Sequence, residues 1–259
     1  MRRPVIAGNW KMYKNVDEAV ALANAIKGSA AGIDNVEIVV CPPFIDLAAA
    51  EKILAGSNIF LGAQNCYWED EGAFTGEVSV PMLKSAGCKY IVVGHSERRK
   101  YFGETNETVN KKIAAVIRAA LVPIMCVGET LEERESGKTM DIVGTQVAKG
   151  LEGFDAAYLK ELIIAYEPVW AIGTGKTATG DQAQEVHATI RALIGRLYPG
   201  SFSSKIRILY GGSVKPDNVE ALMSEKDIDG ALIGGASLKP EGFTDIIKAT
   251  SKIYESDGR

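Results

Sequence analysis

The sequence predicts a closed (β/α)8 barrel formed by one domain over residues 1–259. Eight short hydrophobic runs recur along the chain with amphipathic segments between them, and no linker rich in Pro, Gly or Ser separates the repeats. A doubly wound sheet usually has fewer strands, so eight even units favour the barrel. The alternative is a two-domain α/β protein, but the composition shows no break near the middle of the chain.

The hydrophobic runs account for the predicted strands. Several are almost entirely apolar rather than alternating, which is typical of parallel strands buried on both faces. In order, the runs are PVIAG at 4–8, VEIVVC at 36–41, NIFLGA at 58–63, YIVVG at 90–94, LVPIMCV at 121–127, LIIAY at 162–166, IRILY at 206–210 and GALIG at 230–234. Segments such as DEAVALANAIKGSA, VNKKIAAVIRAA and DQAQEVHATIRALIGRLY have the apolar spacing of helices packed on such a barrel.

Composition excludes several function classes. A net charge of −4 and the lack of a Lys/Arg run argue against nucleic-acid binding. No segment approaches about 20 uninterrupted apolar residues, so no membrane span is expected, and the apolar stretch after the N-terminal arginines is too short for a signal peptide. The four cysteines are scattered without a C-x-x-C pair, and three of them lie in or next to apolar runs, which suits reduced, buried thiols in a cytoplasmic protein. They are Cys41, Cys66, Cys88 and Cys126.

Cofactor and metal sites have little support. The two histidines are far apart and no His/Cys spacing suits zinc. No G-x-G-x-x-G motif follows a predicted strand, so a dinucleotide cofactor is not indicated. We therefore expect neither a metal nor a cofactor.

Polar residues cluster just after the predicted strands, where barrel enzymes place their active sites. Across the first six strands these residues are Asn9, Lys11, Gln64, Asn65, His95, Glu97, Cys126, Glu129 and Glu167. The last two strands end in YGGS at 210–213 and in the diglycine at 234–235. Two glycine-rich ends at these strands are moderately specific for phosphate binding through main-chain N–H groups, with Lys11 as a nearby cation.

Glu167 ends an apolar strand and is followed at once by Pro168. A carboxylate beside an apolar core is costly unless it is paired or used, and partial burial would raise its pKa as general-base catalysis requires. The alternative is a structural salt bridge, for example with Lys11. The uncharged stretch 168–175, which includes Trp170, then has the features of a lid over the site.

His95 directly follows the fourth strand, and Ser96 is a good N-cap for the next helix. A helix beginning there would point its positive end at the imidazole and disfavour protonation. The alternative is a histidine that only ends the strand, but the nearby Glu167 and Lys11 favour catalysis. His187, within a helical segment, is expected to be structural and partly exposed.

Together these residues describe cofactor-free proton chemistry on a small phosphorylated molecule, and the motifs that carry them resemble those of triosephosphate isomerases. The similarity covers essentially the full chain in order. It comprises AGNWKM at 7–12, GAQN at 62–65, GAFTGE at 72–77, VVGHSERR at 92–99, CVGET at 126–130, AYEPVWAIGTGKTAT at 165–179, YGGSVKPDN at 210–218 and LIGGASL at 232–238. The family resemblance implies a TIM barrel that interconverts dihydroxyacetone phosphate and D-glyceraldehyde 3-phosphate through an enediolate, in glycolysis and gluconeogenesis.

The resemblance also implies residue roles. Glu167 would carry the proton between the two carbons, His95 would act as electrophile, and Lys11 and Asn9 would stabilise developing negative charge. The phosphate would lie on the backbone N–H groups of Gly173, Ser213, Gly234 and Gly235. Other residues are expected to support the site or the lid: Glu97, Cys126, Glu129, Pro168, Trp170 and Tyr210. Glu97 would pair with Lys11, and a direct proton-relay role for it is left open. Tyr210 would latch the closed lid together with Ser213.

By the same resemblance the protein would be a homodimer in which the loop 66–79 reaches into its partner, with Thr75 near the neighbouring site. The Trp and Phe in that loop would be awkwardly exposed in a monomer. Tyr13 departs from the small polar residue usual in the family, and we expect a changed interface contact rather than lost chemistry. Two other hypotheses are a phosphate-binding barrel with lyase or aldose–ketose chemistry on a larger substrate, and a non-enzymatic binding protein.

Overall fold

The computed structural model describes residues 2–172 and 178–256. Over these residues, eight parallel strands pair in chain order and close into a barrel, which confirms the predicted (β/α)8 fold. The barrel closes where β1 pairs with β8, with Val5 opposite Gly230 and Gly8 opposite Ile233. The strands are Val5–Asn9 (β1), Glu37–Cys41 (β2), Ile59–Ala63 (β3), Tyr90–Val93 (β4), Val122–Val127 (β5), Ile163–Tyr166 (β6), Arg207–Tyr210 (β7) and Gly230–Ile233 (β8).

Helices surround this barrel because the longer amphipathic segments bury their apolar faces against the strands. They are Val16–Ser29 (α1), Leu47–Leu54 (α2), Val80–Ser85 (α3), Ser96–Phe102 (α4), Asn106–Arg118 (α5), Leu131–Glu135 (α6), Thr139–Gly150 (α7), Gly180–Leu197 (α8), Phe202–Lys205 (α9), Val219–Met223 (α10) and Pro240–Ser256 (α11). Short 3-10 turns lie at Phe44–Asp46, Val169–Ala171 and Gly235–Leu238. Capping boxes at Asn15 and Thr179 fix the starts of α1 and α8.

The core has two layers because successive side chains of a strand point to opposite faces. Ile6 and Ile38 pack outward in a large cluster with the helices, whereas Val5 and Val39 belong to a smaller cluster with residues of the other strands. Burial on both faces explains why the strand sequences are nearly all apolar. The four cysteines are free thiols and buried, as predicted. Within the described ranges, no helix combines the length and the apolar character needed to cross a membrane.

Candidate active site

A cavity of about 490 Å³ lies at the carboxyl ends of the strands. Residues from β1, β4, β6, β7 and β8 converge there because the ends of parallel strands meet at one face of a barrel. Its polar lining includes Asn9, Lys11, His95, Glu167, Gly211, Gly212, Ser213, Gly234 and Gly235. The structure therefore brings together most of the predicted site residues.

Glu167 and His95 form the centre of the site. The Oε1 atom of Glu167 lies 2.8 Å from Nε2 of His95, and its Oε2 atom accepts a hydrogen bond of 2.9 Å from the backbone N–H of Ser96. Both side chains are buried, with 2% of Glu167 and 6% of His95 exposed. The Glu167 carboxylate is thus buried with both of its oxygens held by donors.

The expectation that burial raises the pKa of Glu167 is wrong for this arrangement. Desolvation alone raises this pKa, but the charge of His95 and the hydrogen bonds from His95 and Ser96 outweigh it and lower the pKa below its ordinary value. The burial is also complete rather than partial. Glu167 is therefore ionised in the free protein, which is the form that a base requires.

The helix after β4 begins one residue earlier than predicted. His95, not Ser96, is the N-cap of α4, and its Nδ1 atom accepts a 3.2 Å hydrogen bond from the backbone N–H of Glu97. An Nδ1 atom that accepts carries no proton, so this bond favours the neutral ring with its proton on Nε2. The predicted lowering of the histidine pKa is nevertheless wrong here. Burial lowers the pKa of His95, but the adjacent Glu167 carboxylate raises it by more, so the pKa lies above its ordinary value.

Lys11 pairs with Glu97 across the cavity, as predicted, with 2.6 Å between Nζ and Oε1. This pairing contradicts the alternative in which Lys11 neutralises Glu167. The Lys11 backbone has a φ of +54°, and two hydrogen bonds stabilise this left-handed conformation. Asn9 Oδ1 accepts from the Lys11 N–H at 3.1 Å, and Gln64 Nε2 donates to the Lys11 carbonyl at 2.8 Å.

The ends of β7 and β8 provide the glycine-rich wall of the cavity. Ser213 follows Gly212 at β7, and Gly234 directly precedes the 3-10 turn Gly235–Leu238. A Cβ at Gly234 would lie 3.3 Å from Cε of Lys11, so this lysine reaches the glycine-rich wall. Gly173, the remaining predicted phosphate ligand, lies outside the described residues.

Sequence reasoning missed two cations, Lys215 and Lys239, that also line the cavity. Neither directly follows a strand run, so position alone gave no signal. Together with Lys11 they place positive charge on the side of the cavity that holds the glycines. That side of the cavity therefore suits an anionic group.

Glu129 holds the short turn Val169–Ala171 that follows β6. Its Oε1 atom accepts hydrogen bonds from Trp170 Nε1 at 2.9 Å, from the Tyr166 hydroxyl at 3.1 Å and from Arg134 Nη1 at 3.3 Å. The Arg134 guanidinium also lies 4.7 Å from the centre of the Trp170 ring. Glu129 thus joins the ends of β5 and β6 to this turn, and Pro168 connects the turn to Glu167. That Glu129 and Trp170 support a lid stays a prediction.

Two glycines permit the close packing around Glu167, and sequence reasoning did not single them out. A Cβ at Gly128 would lie 1.8 Å from the backbone oxygen of Glu167, and one at Gly211 would lie 2.8 Å from Cγ of Glu167. The thiol of Cys126 also lies against Glu167, and burial raises its pKa well above the ordinary value. Cys126 therefore packs against Glu167 as a neutral thiol.

Three expected positions differ from the structure. Asn65 points away from the cavity and accepts a 2.7 Å hydrogen bond from Lys112. His187 is wholly buried rather than partly exposed. Trp68 in the loop 66–79 packs on the core and stacks with Tyr67 at 4.1 Å, so it is not awkwardly exposed. Thr75 is exposed at the tip of that loop, as expected.

Tyr13 lines the cavity close to Lys11 and is 57% exposed. The Tyr13 side chain, at which the sequence departs from the family pattern, therefore lies at the solvent-exposed rim of the cavity. Its position leaves the contacts among Lys11, Glu97 and His95 intact.

This arrangement can perform proton transfer on a small anionic molecule. A buried carboxylate provides the base, an imidazole N–H provides a hydrogen-bond donor beside it, and an ammonium group faces both. Within the described residues, no group of three or more His, Cys, Asp or Glu side chains is placed to hold a metal ion.

Comparison with known proteins matches residues 4–250 to the family described as triosephosphate isomerase. A triosephosphate isomerase from Citrifermentans bemidjiense is 57% identical over 248 residues, which cover 96% of this chain and 99% of the relative. One from Moorella thermoacetica is 56% identical over 95% of this chain and 98% of its own length. One from Carboxydothermus hydrogenoformans is 56% identical over 96% of this chain and 100% of its own length.

Proposed function

Because the chain belongs to the triosephosphate isomerase family, we propose that the groups at the barrel mouth carry out the family's reaction, with Glu167 as its base. The chain interconverts dihydroxyacetone phosphate and D-glyceraldehyde 3-phosphate, a step of glycolysis. The observation that carries the residue assignment is the 2.8 Å contact between Glu167 and His95 inside a cavity with a glycine-rich, cationic wall.

In this mechanism, Glu167 removes a proton from one carbon of the bound triose phosphate and returns it to the neighbouring carbon. The Nε2–H group of His95 donates to the oxygens of the enediolate, and Lys11 and Asn9 stabilise the negative charge that develops there. In the free protein the His95 donor is occupied by Glu167. Substrate binding must therefore exchange this contact for one between His95 and a substrate oxygen, which releases the base at the same time.

We assign the phosphate to the backbone N–H groups of Ser213, Gly234 and Gly235, with Gly173 from the lid as a fourth donor. The glycine positions support this assignment because bare backbone lets an anion approach closely. Closure of the lid, latched by Tyr210 and Ser213, would exclude water from the enediolate.

The test of the base assignment is the Glu167→Gln variant in a coupled assay of triose phosphate interconversion. Gln keeps the shape of the side chain but cannot accept the proton, so kcat should fall by at least about 10²–10⁴-fold. Inorganic phosphate should still inhibit both proteins with similar affinity, because its ligands are unchanged. Near-normal turnover by the variant would refute the assignment, and no turnover by the unmodified protein would refute the function.

We also propose a homodimer in which the loop 66–79 of one copy enters the cleft beside Lys11 of the other. That cleft is lined by Met12 and Phe102, which are 94% and 67% exposed. Solvent-exposed apolar side chains of this size beside an active site favour burial by a second copy. The ring of Phe74, 41% exposed near the loop tip, supplies an apolar group to fill it.

Sedimentation velocity of a Thr75→Arg variant tests the dimer. A long charged side chain at the loop tip should dissociate the copies and lower kcat/KM, whereas Ser136→Arg, an exposed change outside the loop, should leave the dimer intact. A monomeric unmodified protein, or a Thr75→Arg variant that stays dimeric, would contradict the proposal.

We propose a cytoplasmic location, which the four free thiols support. Disulfides form and persist in oxidising compartments, and reduced cysteines are usual in the cytoplasm.

A further inference from the structure

Lys215 and Lys239 lie at the mouth of the cavity, and the proposed mechanism gives neither of them a role. Both residues line the cavity and both are exposed. Over the part of the chain that the structure describes, neither ammonium group donates a hydrogen bond or forms an ion pair. The carboxylates nearest to them in sequence, Asp217 and Glu241, do not line the cavity. Two uncompensated positive charges therefore face solvent beside the site.

The backbone of each lysine is fixed directly after a segment that we assign to the phosphate. Asn218 joins Lys215 to Ser213: its Oδ1 atom accepts from the N–H of Lys215 at 2.8 Å, and its Nδ2 atom donates to the carbonyl of Ser213 at 3.0 Å. Lys239 directly follows the 3-10 turn after β8, and its carbonyl accepts a 3.1 Å hydrogen bond from an N–H group in the first turn of α11. The two charges are thus held beside the glycine-rich wall, while their side chains stay free.

The other charges at the site do less to attract an approaching anion. The ammonium group of Lys11 is paired with Glu97 at 2.6 Å, and the field of a close pair of opposite charges falls off faster than that of a single charge. Glu167, buried in the lining of the cavity, is ionised and repels an anion. The attraction at the mouth of the free protein therefore depends on Lys215 and Lys239.

The charge of the whole protein opposes the approach of the substrate. The chain has a net charge of −4, and a phosphate monoester carries about −1.5 to −2 near pH 7, so their average interaction at long range is repulsive. Salt screens such interactions beyond about 8 Å at physiological ionic strength, which makes the charges nearest to the entrance the ones that an incoming anion meets. A mouth lined by charges of one sign can raise association rates by about 10–10³-fold.

We propose that Lys215 and Lys239 steer the phosphate group of the substrate into the cavity. They act on the approach of the anion, through attraction between charges separated by solvent, and not through a contact made in the transition state. Their charges therefore raise kcat/KM and leave kcat nearly unchanged. The inference rests on the proposed function, because it takes a phosphorylated triose as the substrate.

Charge substitutions at the two lysines test the steering. At an ionic strength of about 10 mM, Lys215→Gln and Lys239→Gln should each lower kcat/KM about threefold, and the double variant about tenfold, with kcat changed less than about twofold. Because steering depends on charge, Lys215→Glu should lower the logarithm of kcat/KM about twice as far as Lys215→Gln. At about 1 M salt, where the Debye length is about 3 Å, the double variant and the unmodified protein should differ less than about twofold in kcat/KM.

Lys252→Gln and Lys252→Glu are the matched controls, since they change the net charge by the same amounts. Lys252 is exposed on α11, and the carbonyl of its neighbour Ser251 accepts a hydrogen bond from Asn35 just before β2, so Lys252 lies at the amino end of the barrel. The controls should keep normal kcat/KM at every salt concentration. The inference would be overturned by losses at Lys215 and Lys239 that do not shrink with salt, that lie in kcat, or that do not exceed those of the controls. An inactive unmodified protein would instead refute the proposed function.

Discussion

Glu167 and His95 act electrostatically as a single unit. The carboxylate raises the pKa of the imidazole, and the imidazole lowers that of the carboxylate, against the burial that disfavours charge on both. The backbone N–H of Glu97 at Nδ1 opposes a second proton on the ring. The coupling therefore keeps the base ionised, while the Glu167 carboxylate and the Glu97 N–H act in opposite directions on the protonation of the His95 ring.

The pH profile of kcat/KM tests this coupling. The pKa of Glu167 is lowered below its ordinary value of 4.5, so protonation of the base should limit activity only below that pH. The change His95→Ala removes the largest of the lowering contacts and leaves desolvation, which raises the pKa. Its residual activity should therefore have an acid limb at higher pH than that of the unmodified protein. An acid limb at the same pH in both proteins would contradict the coupling.

The strand ends position the site through close backbone contacts. Gly128, just after β5, approaches the backbone of Glu167, just after β6, so closely that no Cβ fits between them. The backbone N–H of Glu167 also donates to the Val127 carbonyl at 2.7 Å. The position of the base thus depends on how two neighbouring strands end.

The change Gly128→Ala should displace Glu167 and lower kcat/KM by about 10²-fold, since misplacement of a catalytic group by an ångström has effects of this size. The control is Gly28→Ala in α1, where an added Cβ meets nothing within 4 Å. It should leave kcat/KM unchanged and stabilise the fold by up to about 1 kcal/mol. Steady-state kinetics and thermal unfolding of both variants test this prediction. A Gly128→Ala enzyme with normal kcat/KM would contradict the dependence of Glu167 on a bare backbone at Gly128.

At the scale of the whole molecule, the amino end of the barrel holds a buried ionic cluster, opposite the active site. Glu37 of β2 accepts hydrogen bonds from the hydroxyl of Tyr90 in β4 and from Arg207 of β7, the latter at 2.6 Å. Burial raises the pKa of Glu37, but Arg207 and Tyr90 outweigh this effect and lower it. The cluster thus joins three strands at the end of the barrel that does not carry the reaction.

The change Glu37→Gln should lower the free energy of unfolding by up to about 3 kcal/mol at pH 7, because it leaves the half-buried Arg207 with only the more distant and exposed Glu161 as a charge partner. A depressed carboxyl pKa stabilises the fold above the ordinary value of 4.5, and this contribution is lost as the pH falls through the lower folded value. Urea unfolding at pH 7 and pH 4 should therefore show a smaller difference between the variant and the unmodified protein at pH 4. The side chain of Glu161 is 72% exposed, so Glu161→Gln should change the free energy of unfolding by less than about 1 kcal/mol.

The sequence was sufficient to predict the barrel, the strand ends and most of the cavity lining, because hydrophobic runs and the residues after them are local features. Single-domain boundaries at 1–259 stay a prediction. The pKa directions of Glu167 and His95 could not be predicted, since they depend on a contact between residues far apart in sequence. Lys215 and Lys239 were missed because they do not directly follow strands, and Gly128 because its need for a bare backbone appears only when two strand ends are side by side.

Hydrogen exchange in D2O tests the central claim, that Glu167 carries the proton between the two carbons. A base that shuttles a proton also exchanges it with solvent, so the unmodified protein should introduce deuterium at carbon into dihydroxyacetone phosphate, as followed by NMR. The Glu167→Gln protein should do so at least about 10²-fold more slowly. Deuterium incorporation by the variant at the unmodified rate would show that another group is the base, and would contradict the account.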